Sequence, residues 1–275
     1  MNVRRAAVAG SWYPGTAKAL STAVEGHLAG ATRDIDGDLI ALIAPHAGLT
    51  YSGPVAAHAY RLLRDRTFDV AVIVGPSHFV GFDGVAAPSA RAFETPFGVT
   101  ALDGDCVDAL VHAGGVVREH APAHVREHSV EMQLPFLARL APGVPIVPLL
   151  MGYQTRETAV ALADALAPVL RGRRALLVAS TDLSHYYDAA TAARLDAVVL
   201  DRVANMDAEG LQQALEHQPQ HACGGGPTVA VMLTARLLGA RDAVVLDYAD
   251  SGDVSGDKSK VVGYMAAAIG TFPDD

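Results

Sequence analysis

Along the chain, short unbroken apolar runs alternate with polar or glycine-rich turns and with stretches of helical spacing. Residues 39–44 (LIALIA) run into Pro45-His46-Ala47-Gly48, and 53–64 (GPVAAHAYRLLR) then carries apolar side chains three and four apart. A short continuous apolar run suits a strand covered on both faces, and the spacing after it suits an amphipathic helix. The order returns at 70–74, which ends in Gly75-Pro76-Ser77-His78, and at 175–179, which ends in Ser180-Thr181-Asp182-Leu183-Ser184-His185. Further strands are expected over 144–150, 243–248 and 260–269, and helices over 155–170, 189–203 and 228–238. The stretch 82–102 is richer in Pro, Gly and Thr and alternates, which predicts a hairpin beside the main sheet. Strand, turn and helix in repetition make an α/β protein.

No linker, repeat, low-complexity tract or shift of composition divides the 275 residues, so one domain over 1–275 is expected. Half the chain (51%) is hydrophobic and 19% is charged, which excludes disorder. A formal charge of −9 without basic clusters leaves no footprint for nucleic acid. Two cysteines, Cys106 and Cys223, cannot staple a fold of this size and suit a reducing compartment. With no export signal and no apolar run of membrane-spanning length, the expected location is cytoplasmic, with no membrane partner.

The chemistry sits where strands end. His46, His78 and the Asp182/His185 pair each follow a predicted buried strand, and ligands of open α/β sheets bind beyond the carboxyl ends of the strands. Cys223, in Ala222-Cys223-Gly224-Gly225-Gly226-Pro227, precedes a helical run, where helix-terminal amides favour a thiolate. It is a candidate ligand or nucleophile. Two imidazoles and one anionic side chain from remote segments leave open coordination positions, as catalytic metals need. The spacings fit no compact zinc finger. Cys106 and His58 read as core and structural residues on helices.

Two other stretches allow two readings each. Residues 120–133 hold three histidines and two glutamates, yet Glu127, Glu131, Val130, Leu134 and Leu137 also describe a capped amphipathic helix. His128 and Glu131, three apart on one face, are the members expected at the pocket. Trp12 and Tyr13 are expected to pack over the sheet; an exposed pair would mark a peptide or stacking site. No P-loop, GxGxxG or Gly-x-Ser-x-Gly motif occurs.

Six stretches together carry a resemblance: AGSWYPG at 9–15, APHAGLTYSGPVAAHAY at 44–60, VGPSHF at 74–79, EHSVEMQLPFL at 127–137, STDLSHY at 180–186 and CGGGP at 223–227. In this order they resemble the Memo family, whose prokaryotic members carry the label AmmeMemoRadiSam system protein B. The resemblance implies a mixed central sheet flanked by helices, similar to the class III extradiol dioxygenases, which are non-haem iron enzymes. It implies His46, His78 and Cys223 as metal ligands, His185 as acid/base with Asp182 orienting it, and a pocket including His128, Glu131, Trp12 and Tyr51. One divalent metal per chain is expected, Fe(II) first, with copper or zinc as alternatives because a thiolate stands where the dioxygenases use a carboxylate. The expected activity is oxygen-dependent, on a small phenolic or heteroaromatic substrate. The alternatives are a metal-containing scaffold or peptide-binding protein, and a zinc hydrolase. A radical-SAM protein and an AMMECR1-domain protein are the functional partners that the resemblance suggests.

Overall fold

The computed structural model describes residues 2–273. The strands are β1 (Val3–Arg4), β2 (Asp38–Ala44), β3 (Val70–Pro76), β4 (Val85–Ala87), β5 (Ala92–Thr95), β6 (Gly98–Ala101), β7 (Val117–Glu119), β8 (Ile146–Met151), β9 (Ala175–Ser180), β10 (His185–Tyr187), β11 (Asp242–Asp250) and β12 (Val261–Thr271). The main sheet has the order β10-β12-β2-β9-β3-β8-β4-β7, with β11 also paired to β12. Its centre, β2-β9-β3-β8, is parallel, while β12 and β4 join it antiparallel on either side. This is the mixed central sheet expected from the resemblance.

Every residue of β3, β8 and β9 is buried, which is why their sequences are continuous apolar runs. Alternate side chains of β3 enter opposite layers, Val70, Val72 and Val74 one core and Ala71 and Ile73 the other. The helices are α1 (Ala17–Gly30), α2 (Leu49–Arg61), α3 (Gly104–His112), α4 (Ala121–Val125), α5 (Leu134–Leu140), α6 (Arg156–Leu170), α7 (Ala189–Ala204), α8 (Ala208–His217), α9 (Gly225–Leu237) and the single turn α10 (Gly252–Ser255). Buried side chains of α1, α2 and α5 fill the second core; those of α3, α6, α7, α8 and α9 fill the first. Each fully buried Leu or Val contributes about 1.5–3 kcal/mol, so two such layers hold the sheet rigid between them.

The 82–102 stretch behaves differently from its expected single hairpin. β4 joins the main sheet between β8 and β7, and only β5 and β6 form the hairpin, which pairs with β1 in a separate three-stranded sheet. Alternation described both pieces but could not reveal that they belong to different sheets. The expected helix start at 127 is also corrected. Residues 127–130 form a turn, followed by a short 3-10 segment (Glu131–Gln133) and then α5.

Register then assembles the site. Ala44 pairs with Ser180 and Val74 with Ala179, so β2, β3 and β9 end level with one another. The turns carrying His46, His78 and Asp182 therefore leave the sheet at one edge. Among the described residues, no helix is long and apolar enough to cross a membrane.

Candidate metal centre

Three imidazoles meet at that edge. His46, His78 and His128 each offer a ligand atom within 4.8 Å of the other two, an arrangement able to hold one ion. The His78 and His128 rings stack with centroids 4.6 Å apart, and His46 stands edge-on to them at 5.2 and 5.6 Å.

Hydrogen bonds fix which nitrogens are free. The Ser180 hydroxyl lies 2.6 Å from the Ser129 carbonyl oxygen, which only accepts, so the hydroxyl proton points there. Ser180 Oγ then accepts from Gln133 Nε2 at 2.7 Å and from His46 Nδ1 at 2.9 Å. Gln133 is oriented by donating to the Pro45 carbonyl and accepting from the Tyr60 hydroxyl. With its proton on Nδ1, His46 presents a bare Nε2. His78 follows the same logic: its Nδ1 faces Glu127 Oε1 at 2.9 Å, and its backbone N–H donates to Glu127 Oε2 at 2.6 Å. Two imidazoles whose Nδ1 atoms are committed elsewhere each leave Nε2 as the atom to offer a divalent cation, so the donor set fits a metal.

Burial disfavours charge on two of the three imidazoles. Burial draws His46 well below the ordinary histidine value, helped by His78 and His128. Burial likewise lowers His128 to about 4, against the pull of Glu127. Glu127 is itself buried. Burial pushes its carboxyl up, but the His78 ring and the N–H groups of His78 and Ser129 outweigh this and hold it at about 2. One carboxylate thus orients His78 and, through the N–H groups of His128 and Ser129, shapes the turn that presents His128. Sequence reasoning treated Glu127 as a helix cap. The signals that point to it are its position one residue from His128 and its place at the head of the EHSVEMQLPFL stretch.

Cys223 lies beside this group, with Sγ 3.2 Å from His46 Nε2 and accepting from the Asp182 N–H at 3.3 Å. It precedes α9 as expected, but the expected lowering of its pKa is not found. Burial and the Asp182 carboxylate push the thiol up, outweighing the nearby amides. Asp182 accepts from the N–H groups of His46 and Ala47 through Oδ1, and burial raises it to about 7. It holds the His46 turn; no hydrogen bond from its carboxylate to His185 occurs among the described residues. His185 is half-buried on β10, outside the 4.8 Å group, and burial lowers its pKa.

Trp12 is 38% exposed and lies against His128 with ring centroids 4.2 Å apart and planes inclined at 50°, whereas Tyr13 is buried. The pair expected to pack together is therefore split, one residue at the mouth and one in the core. Tyr13 donates at 2.6 Å to Glu131, which also accepts from the N–H groups of Ala7 and Val8 and from Arg4. With all these donors and no exposure, Glu131 is a strut under the wall that carries Trp12. His128 and Glu131 were expected to share a face, but the turn sends one to the cluster and the other away from it. Tyr51 is exposed on the first turn of α2. Phe79, Tyr153 and Tyr186, not singled out in the sequence, are exposed after β3, after β8 and on β10.

A family model described as "Memo-like protein" matches residues 4–268. A MEMO1 family protein of Methanothermobacter thermautotrophicus is 39% identical over 276 residues, covering 95% of this chain and 98% of the relative. A MEMO1 family protein of Methanosarcina mazei is 37% identical, covering 98% and 100%. Among solved structures, an uncharacterized protein of Escherichia coli K12 shares the fold with a TM-score of 0.55 at 14% identity, covering 85% of this chain and all of that one.

Proposed function

The chain belongs to the Memo family, and on that premise we propose that it is a mononuclear non-haem iron enzyme performing oxygen-dependent chemistry on a small phenolic or heteroaromatic molecule. The observation that supports it is the convergence of three imidazoles within 4.8 Å, two with Nδ1 committed elsewhere. In this reading His46, His78 and His128 hold the ion, with Cys223 as a fourth donor beside His46. The bound metal supplies a Lewis acid for a phenolic oxygen and an electron source for dioxygen. Trp12 and Phe79 provide flat faces for an aromatic ring, each near His128 at 4.2 and 6.0 Å between centroids. His185, neutral at pH 7, takes the proton of the substrate hydroxyl. Asp182 keeps the backbone of His46 and Ala47 in place, which fixes where that imidazole points.

The test is anaerobic loading with Fe(II), followed by oxygen uptake against a panel of catechols and hydroxylated heteroaromatics. Iron-dependent uptake that disappears in His78→Ala is expected. A fully loaded protein that consumes no oxygen with any member of the panel overturns the reading.

The exposure of Trp12 favours a second reading, a peptide-binding protein that keeps its metal pocket. It predicts that Trp12→Ala loses binding while His78→Ala retains it. The reverse pattern rejects this reading.

A further inference from the structure

Beside the imidazole cluster the chain adopts a conformation that its local sequence does not favour. Tyr186 sits at φ 65°, in the left-handed region that side chains with a Cβ avoid. Its ring is 73% exposed, so burial of the side chain does not compensate. The pairing of β10 with β12 also slips between His185 and Tyr187. Something else holds this segment.

The backbone before Tyr186 is gripped from below. Leu183 N–H donates to the Gly263 carbonyl at 2.8 Å, and Gly263 N–H donates to the Ser184 carbonyl at 3.0 Å. Beneath them lies Asp196 of α7, fully buried, which accepts from the Ser184 N–H at 2.9 Å and from the Tyr248 hydroxyl at 2.8 Å. The absence of a side chain at Gly263 makes room for the carboxylate, since a Cβ there would lie 2.0 Å from Oδ2. Helix α7 and strands β11 and β12 are thus shaped around a buried acid. A buried carboxylate with no lysine or arginine among its partners is an expensive way to fill space, and an apolar side chain would do that better. Its one backbone target is the residue before His185. Backbone strain persists only where the surroundings over-determine it, and at functional sites it serves to aim a group.

We propose that Asp196 is a positioning residue that clamps Ser184, holds the 183–187 segment in its left-handed form at Tyr186, and thereby sets the His185 imidazole in its half-buried place while Tyr186 stands out at the mouth. The consequence for proton transfer rests on the role given to His185 above. The clamp itself does not, and it can be read without metal or substrate.

The experiment follows the His185 ring resonances of the metal-free protein by NMR through a pH titration. Asp196→Ala is expected to move the His185 signals and to raise its midpoint toward the ordinary value of about 6.5 as the ring gains water. Asp196→Asn keeps an acceptor for Ser184 and can donate to the Tyr248 oxygen, so it is expected to leave His185 in place. Tyr248→Phe, a milder change that frees one carboxylate oxygen, should shift the signals in the same direction by less. Tyr186→Gly is expected to raise Tm with His185 unmoved, because glycine adopts this φ without penalty. Unmoved His185 signals in folded Asp196→Ala overturn the proposal, and so does an Asn variant that behaves like Ala. If Asp196→Ala does not fold, Tyr248→Phe decides, and an unmoved ring there overturns it equally. An oxygen-uptake assay that fails while His185 responds as described removes the iron reading and leaves the clamp.

Discussion

Glu127→Gln isolates the carboxylate on which the cluster is built. Three donors converge on Glu127 Oε1: His78 Nδ1 at 2.9 Å and the N–H groups of His128 and Ser129 at 2.8 Å each. The His78 N–H approaches Oε2 at 2.6 Å. A glutamine amide can serve the first three through its oxygen, but its NH2 then faces the His78 N–H, donor against donor. Losing a charge-assisted bond in a buried place costs about 1.5–3 kcal/mol, with the desolvated N–H adding to it. Linkage gives a similar size. A carboxyl that falls from 4.5 to about 2 on folding contributes roughly 3 kcal/mol at neutral pH. The sign follows from the depressed folded value. The contribution is full above the ordinary carboxylate range and fades as pH falls from about 4.5 toward about 2. Urea unfolding of the two metal-free proteins should therefore show a gap of about 3 kcal/mol at pH 7 that has lost roughly half or more of its size by pH 3. Equal stabilities at pH 7, or a gap that does not shrink in acid, would refute the assignment of Glu127 as the ionised anchor of His78.

Asp182→Asn should act in the opposite direction. The folded pKa of Asp182 is raised to about 7 by burial, so its favourable contribution is present below the unfolded value and lost as pH rises through the folded one. Because both backbone N–H groups bond the same oxygen, which an amide retains, the metal-free variant should be more stable than the parent at pH 8, by up to about 4 kcal/mol. The two should converge near pH 4. Ser180→Ala removes the acceptor that keeps the His46 proton on Nδ1, and competition against a zinc indicator should show metal affinity lowered about 10- to 100-fold. Leu177→Ala, in a fully buried position of β9, should cost about 2–5 kcal/mol in urea without changing metal stoichiometry, which separates core from site.

The parts of this site legible in the sequence are those that a strand delivers. His46 and His78 each follow a run that is apolar on both faces, and such a run fixes both the strand and the place where it stops. Level strand ends then follow from register, as Ala44 against Ser180 shows. The parts that stayed hidden depend on turns whose shape is set by distant partners. Residues 127–131 carry a helical pattern, yet the Glu127 carboxylate draws in the N–H groups of His78, His128 and Ser129 from two segments. That satisfies the donors in a turn and leaves the helix to begin later. The 3.6 periodicity there was real but belonged to α5, and it placed His128 and Glu131 on a common face that the turn abolishes. Trp12 and Tyr13 were inseparable by composition for a similar reason. Adjacent residues in a non-helical segment point apart, and only the acceptor waiting at Glu131 decides which of them goes in. Tyr186 is the limiting case. No local preference favours a left-handed tyrosine, so its conformation had to be imposed from elsewhere, and residues that break local rules in this way are the ones to search for function first.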